Sequence, residues 1–191
     1  MAVREIVQLG DPLLRERSRP VENFPAAQAT LADLRDTLHD FQQRTGFGRG
    51  ISAVQIGVPE RLIYLEIGGR DHALFNPVLR RASREKILVW DDCFSFPQVV
   101  VRLVRSARVE VDYLDARGLS CSLTAEHDFS ELLQHELDHL DGVLAIDRAI
   151  DKNSFATRAE YERRYRSERI VAMPETVTRW DASPATLRVR L

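Results

Sequence analysis

No stretch of the chain approaches the roughly 20 consecutive apolar residues that a membrane-spanning helix requires, so nothing in it reads as a transmembrane segment. No apolar h-region follows Met1 either, and the expectation is a protein that is not secreted. Cysteine is scarce: Cys93 and Cys121 are the only two, too few for a disulfide framework. Both thiols are expected to be reduced and the protein cytoplasmic. A charge excess of one sign is also missing, with 27 Lys and Arg against 29 Asp and Glu and a net charge of -2. Neither nucleic acid nor an anionic membrane surface is therefore an expected partner. There is no internal repeat and no low-complexity segment. Glycines crowd the stretch from Gly46 to Gly57, but no Lys-Ser/Thr follows, so it matches neither the phosphate-binding loop nor the dinucleotide fingerprint.

What is present is 191 residues, 44% hydrophobic and 29% charged, the composition of one globular domain with a real core. Asp11 is placed to cap a short helix that has Pro12 in its first turn. From Pro25 to Thr45, Leu31, Leu34, Leu38 and Phe41 recur at helical spacing, and Gly46 ends the pattern. Extended segments follow at Arg61 to Ile67, Ala73 to Phe75 and Lys86 to Trp90. Arg108 to Leu114 alternates, turns at Asp115 to Gly118, and returns as Leu119 to Leu123, which predicts a hairpin. A helical pattern resumes near Asp128, and a charged helix is expected from about Ser154 to Glu168. Strands precede the second helix without βαβ alternation, so the class is α+β. Residues 171–191, with Pro174 and Pro184, read as an irregular tail after a single domain over 1–170.

The chemistry concentrates in Glu131-Leu132-Leu133-Gln134-His135-Glu136-Leu137-Asp138-His139, which contains H-E-x-x-H. On a helix His135 and His139 lie one above the other and can share a metal ion. Glu136, about 100° round the helix from His135, is placed to move the proton of a water without ligating. The competing reading is a surface helix that carries these charges by chance, and a third ligand decides between them. Cys93 and Cys121 both offer one, since a thiol beside a divalent ion ionises and binds. Gln55, in the glycine-rich stretch, has an amide able to donate to an oxygen. His39, His72 and His127 are expected to be structural or solvated.

Three segments, Gly48-Arg49-Gly50-Ile51-Ser52-Ala53-Val54-Gln55, Cys93-Phe94-Ser95 and Gln134-His135-Glu136-Leu137-Asp138-His139-Leu140-Asp141-Gly142, resemble in order and separation the three motifs of the peptide deformylase family. The likeness covers roughly residues 4 to 165. It implies a peptide-deformylase-like fold, with mixed or antiparallel strands packed around a central metal-binding helix. It also implies a metal-dependent hydrolase that removes the N-formyl group of nascent N-formylmethionyl peptides and releases formate. Cys93, His135 and His139 would hold one divalent ion, ferrous iron as is common in the family, with zinc, nickel or cobalt also used. Glu136 would take the water's proton and pass it to the leaving amine, while Gln55 and the Phe94 N–H would stabilise the oxyanion. Gly50 would offer backbone hydrogen bonds to an extended substrate, and Ile51, Asp92 and Glu131 would be among the residues that bind it.

Departures from the family pattern are local. Asp92 stands where the family has glycine before the cysteine, and Ser52 stands for the first alanine of an Ala-Ala pair. Val100 replaces an arginine, with Arg102 nearby. Glu131 and Asp128 occupy positions that are usually apolar. They suggest a second possibility, a paralogue acting on a small or cationic formylated amine. Two other readings are a metal-binding protein that recognises peptide ends without turnover, and a zinc metalloprotease with no role for the cysteine. The sequence leaves room for a homo-oligomer.

Overall fold

A computed structural model of the chain describes residues 2–173. Asp11 caps a 3-10 turn over Pro12–Arg15 by accepting from the Leu13 N–H. Helix α1, Phe24–Thr45, is capped by the Asn23 side chain and ends at Gly46, whose φ of 77° is the left-handed conformation that glycine adopts without strain. Its apolar face buries Leu34, Leu38 and Phe41.

Among the described residues, nine strands form two antiparallel sheets. The first has the order β1 (Gly50–Ser52), β2 (Leu62–Ile67), β3 (Arg70–Ala82), β6 (Arg108–Leu114) and β7 (Ser120–Glu126). The second has the order β8 (Phe155–Thr157), β5 (Val99–Ser106), β4 (Lys86–Asp92) and β9 (Ile170–Ala172). The expected hairpin is β6 and β7, paired from Arg108 with Glu126 to Leu114 with Ser120. Strand β3 runs through Asn76-Pro77 instead of stopping there, because the sheet absorbs these residues as a register shift between Phe75 and Val78. Asn76, at φ 52°, holds the shift by exchanging two hydrogen bonds with the Val21 backbone.

Strand β5 has no counterpart in the sequence reading. Its Val99-Val100-Val101 run lies between β4 and β8, with Val100 and Val101 fully buried, so it shows no clean alternation. The single helix expected over Ser154 to Glu168 is broken up. Phe155–Thr157 pairs with Val99–Val101 as β8, and Thr157 then caps the shorter helix α3, Arg158–Arg164. A 3-10 turn at Arg166–Glu168 leads into β9, which pairs with Ile87–Val89. This strand includes Val171 and Ala172, the first residues of the expected irregular tail. The rest of that expectation, from residue 174 on, lies outside the described residues.

Helix α2, His127–Leu140, is buried nearly all round from Ser130 onward because it lies between the two sheets. Leu132, Leu133, Leu137 and Leu140 pack on Ile63, Leu65, Leu74, Val109 and Val111 of the first sheet. Burying a leucine contributes about 1.5–3 kcal/mol relative to leaving it exposed, so this apolar face sets the rotation of the helix. The residues between the leucines are thereby turned toward β4 and β5.

Candidate active site

That rotation carries His135, Asp138 and His139 to the second sheet. His135 Nδ1 meets Asp91 Oδ1 on β4 at 2.7 Å, and His139 Nε2 lies 3.2 Å from the Sγ of Cys93, just past the end of β4. Ligating atoms of Cys93, His135 and His139 all fall within 4.8 Å of one another, and all three residues are buried. Cys121, the competing thiol, sits half-buried on β7 beside Tyr113 and takes no part.

The charges behind the triad form a chain. Asp91, fully buried, accepts from His135 and, at 2.8 Å, from Nη2 of Arg105 on β5. Arg105 also pairs with Asp138, which Arg148 grips at 2.5 Å through two nitrogens. Burial alone would lower the pKa of His135, but the Asp91 carboxylate outweighs it and carries the group well above its ordinary value. His139 is pushed well down, by burial first and by charge on His135 second. Its Nδ1 has no hydrogen-bond partner among the described residues. The Ser95 N–H at 3.4 Å and the Gln55 amide at 3.7 Å donate toward the Cys93 sulfur. One soft anionic ligand and two imidazoles, one of them oriented by a carboxylate, fit a divalent transition metal. Asp91, Glu131 and His135 also cluster within 4.8 Å. Protein cations already occupy that second set, since Arg105 pairs with Asp91 and Arg49 with Glu131.

Gln55, Phe94, His135 and Glu136 line a cavity of about 550 Å³ beside this triad. Gln55 lies in a 3-10 turn, Ala53–Ile56, where its Oε1 accepts from the Ser52 N–H at 2.9 Å. Only the oxygen can accept there, so the orientation of the amide is fixed, and Nε2 faces Cys93 and Ser95. The Phe94 N–H has no acceptor among the described residues. Glu136 is buried and accepts a short hydrogen bond from Ser52 Oγ, and burial raises its pKa. Serine at position 52 thus has a contact that the alanine of the family pattern could not make. Gly50 lines the cavity on β1, where an added Cβ would fall 2.7 Å from Leu65 Cδ2 and 3.0 Å from Glu136 Oε1. The Ile51 side chain is fully buried in the cluster formed with α1, leaving its backbone as the part available to a substrate.

Asp92 and Glu131 line the cavity, but neither is open to a cationic group. Asp92 pairs with Arg158 at 2.9 Å, and Glu131 pairs with Arg49 at 3.2 Å and Arg169 at 3.5 Å. Burial, with Asp91 adding to it, pushes Glu131 up to about 7 against the pull of these arginines. Asp128 lies outside the cavity lining, bound to the same two arginines. Val100 is fully buried, and Arg102 lies over the Trp90 ring, so neither supplies a cavity cation. The sequence reading missed Asp91 and Arg105 behind the metal site, and Arg49, Arg158 and Arg169 at the cavity. For Arg49 alone there was a local signal, its place inside the first motif.

Comparison with known proteins agrees with this geometry. The model of the polypeptide deformylase family matches residues 3–155. A peptide deformylase of Maricaulis maris is 38% identical over 154 residues, 77% of this chain and 85% of the relative. One from Thermotoga neapolitana is 36% identical over 140 residues, covering 73% and 82%. The crystal structure of peptide deformylase from Thermotoga maritima superposes with a TM-score of 0.73 at 32% identity, over 78% of this chain and 99% of that one. A peptide deformylase from Synechococcus elongatus, solved in complex with actinonin, gives 0.74 at 28% identity, over 79% and 81%. By sequence and by fold, this chain belongs to the polypeptide deformylase family.

Proposed function

We propose that the chain hydrolyses the formamide bond of N-formylated peptides, releasing formate and a free amino terminus, with formylmethionyl peptides, the default that the family resemblance implies, as the reference substrate. One observation carries this reading: the Cys93, His135 and His139 ligand set lies beside a cavity lined by both a buried carboxylate, Glu136, and an oriented amide, Gln55. Residues 1–170 act as one catalytic domain, because both sheets pack on the helix that bears the two histidines. A ligating thiolate requires a reducing compartment, which supports a cytoplasmic setting.

Cys93, His135 and His139 would hold one divalent ion, iron or zinc by ligand type, and the ion supplies Lewis acidity toward water and the formyl oxygen. Glu136 takes the proton of the attacking water and returns it to the departing amine. The pKa raised by burial brings this carboxyl closer to neutral pH, where both transfers are efficient. Gln55 Nε2 and the Phe94 N–H donate to the oxygen as negative charge develops on it. Strand β1 is an edge of its sheet, and Gly50 brings its backbone to the cavity, so an extended peptide can align along it.

The test is formate release from formyl-Met-Ala together with metal analysis, for the wild type and Glu136→Gln. The variant should keep its metal and lose about 10²- to 10⁴-fold in kcat. Undiminished turnover in the variant, or no formate from any formyl peptide with wild type, would overturn the reading.

A further inference from the structure

Arg49 and Arg169 are shared between the same two carboxylates. Arg49 pairs with Asp128 and with Glu131, and Arg169 pairs with Asp128 at 2.8 Å and with Glu131 at 3.5 Å. The result is a closed ring joining the stretch before β1, the first turns of α2 and the approach to β9. It stands next to the reacting atoms, since a carboxylate oxygen of Glu131 lies within 4.8 Å of a His135 ring nitrogen.

Burial is unequal around the ring. The Glu131 side chain is 6% exposed, whereas Arg49 and Arg169 are 28% and 37% exposed. Both arginines line the cavity and Asp128 does not. The part of the ring that a ligand meets is therefore guanidinium, backed by a buried anion. A guanidinium has five N–H donors, and the ring engages two nitrogens of each, so donors remain on both. Elsewhere on the cavity Arg158 covers Asp92, and Glu136 accepts from Ser52. Among the described residues Glu162 is the only exposed acid of the lining, and it shares the rim with Arg166.

An apolar group placed against this wall would strip water from the guanidinium donors and return no hydrogen bond, which is unfavourable. A carboxylate would accept from both in a charge-assisted geometry. Resting on the deformylase reading above, we propose that Arg49 and Arg169 bind the side chain next to the formamide, and that the substrates they favour carry a carboxylate there.

The experiment compares kcat/KM for formyl-Glu-Ala, formyl-Gln-Ala and formyl-Met-Ala, and the calorimetric Kd of N-acetyl-Glu-Ala and N-acetyl-Met-Ala. The wild type should prefer the glutamyl compounds by about 10-fold or more in both measurements. Arg169→Gln should reduce that preference by a similar factor. Because it strands Glu131, the pair Arg169→Gln with Glu131→Gln removes both charges and should show the same loss. Equal or better handling of the methionyl compounds by the wild type, or a preference unchanged in both variants, would overturn the proposal. Failure of all three formyl peptides to release formate would overturn the reaction itself, while the two dissociation constants would still decide this point.

Discussion

His135 Nδ1 and Asp91 Oδ1 lie 2.7 Å apart, and the Asp91 side chain has no exposure to solvent. The carboxylate fixes the ring and leaves Nε2 for the metal. Asp91→Asn should therefore lower metal affinity about 10- to 100-fold, the usual effect of losing a partner behind a ligating histidine. Chelator competition would measure it. Unchanged affinity would mean that Asp91 serves only to neutralise Arg105.

The two thiols make opposite predictions. Cys93→Ala should abolish stoichiometric metal binding, because a site of three side chains loses its only anionic ligand. Cys121→Ala, half-buried on β7, should bind metal as the wild type does. Metal content after gel filtration separates the two, and the reverse result would refute the ligand assignment.

A pH-dependent contribution comes from the N-terminal arm. Asp33 accepts from Arg4 Nε at 2.7 Å and from the Ala2 N–H at 2.8 Å, and the Arg4 hydrogen bond is the main cause of its lowered pKa. A folded pKa below the unfolded value stabilises fully above the ordinary carboxylate value of about 3.9, and the gain is lost as pH falls through the folded value. Asp33→Asn should cost about 1 kcal/mol at pH 7. Urea denaturation should find the gap between the two proteins narrowing below pH 4, and a constant gap would contradict the assignment.

The metal helix was legible because its information is local: four-residue spacing puts His135 and His139 on one face whatever surrounds them. Gln55 and Cys93 were legible only through the family motifs around them. Asp91 and Arg105 were hidden because their contact depends on β4 lying beside β5, and β5 itself showed no alternation. The partners of Asp92 and Asp128 were not legible in the sequence. Their arginines come 66 and 41 residues later, from a segment whose fold the helical pattern misrepresented.

Strand β9 closes the second sheet and sets Arg169 at the cavity, and Arg158 opens α3, both beyond residue 155, where the family match ends. Every residue assigned to bond cleavage lies before residue 140. During synthesis Arg49 and the hydrolytic centre thus leave the ribosome before Arg169, the second arginine of the proposed pair. One member of the pair thus sits on a length of chain that follows the hydrolytic centre, where it can change in evolution without rebuilding that centre.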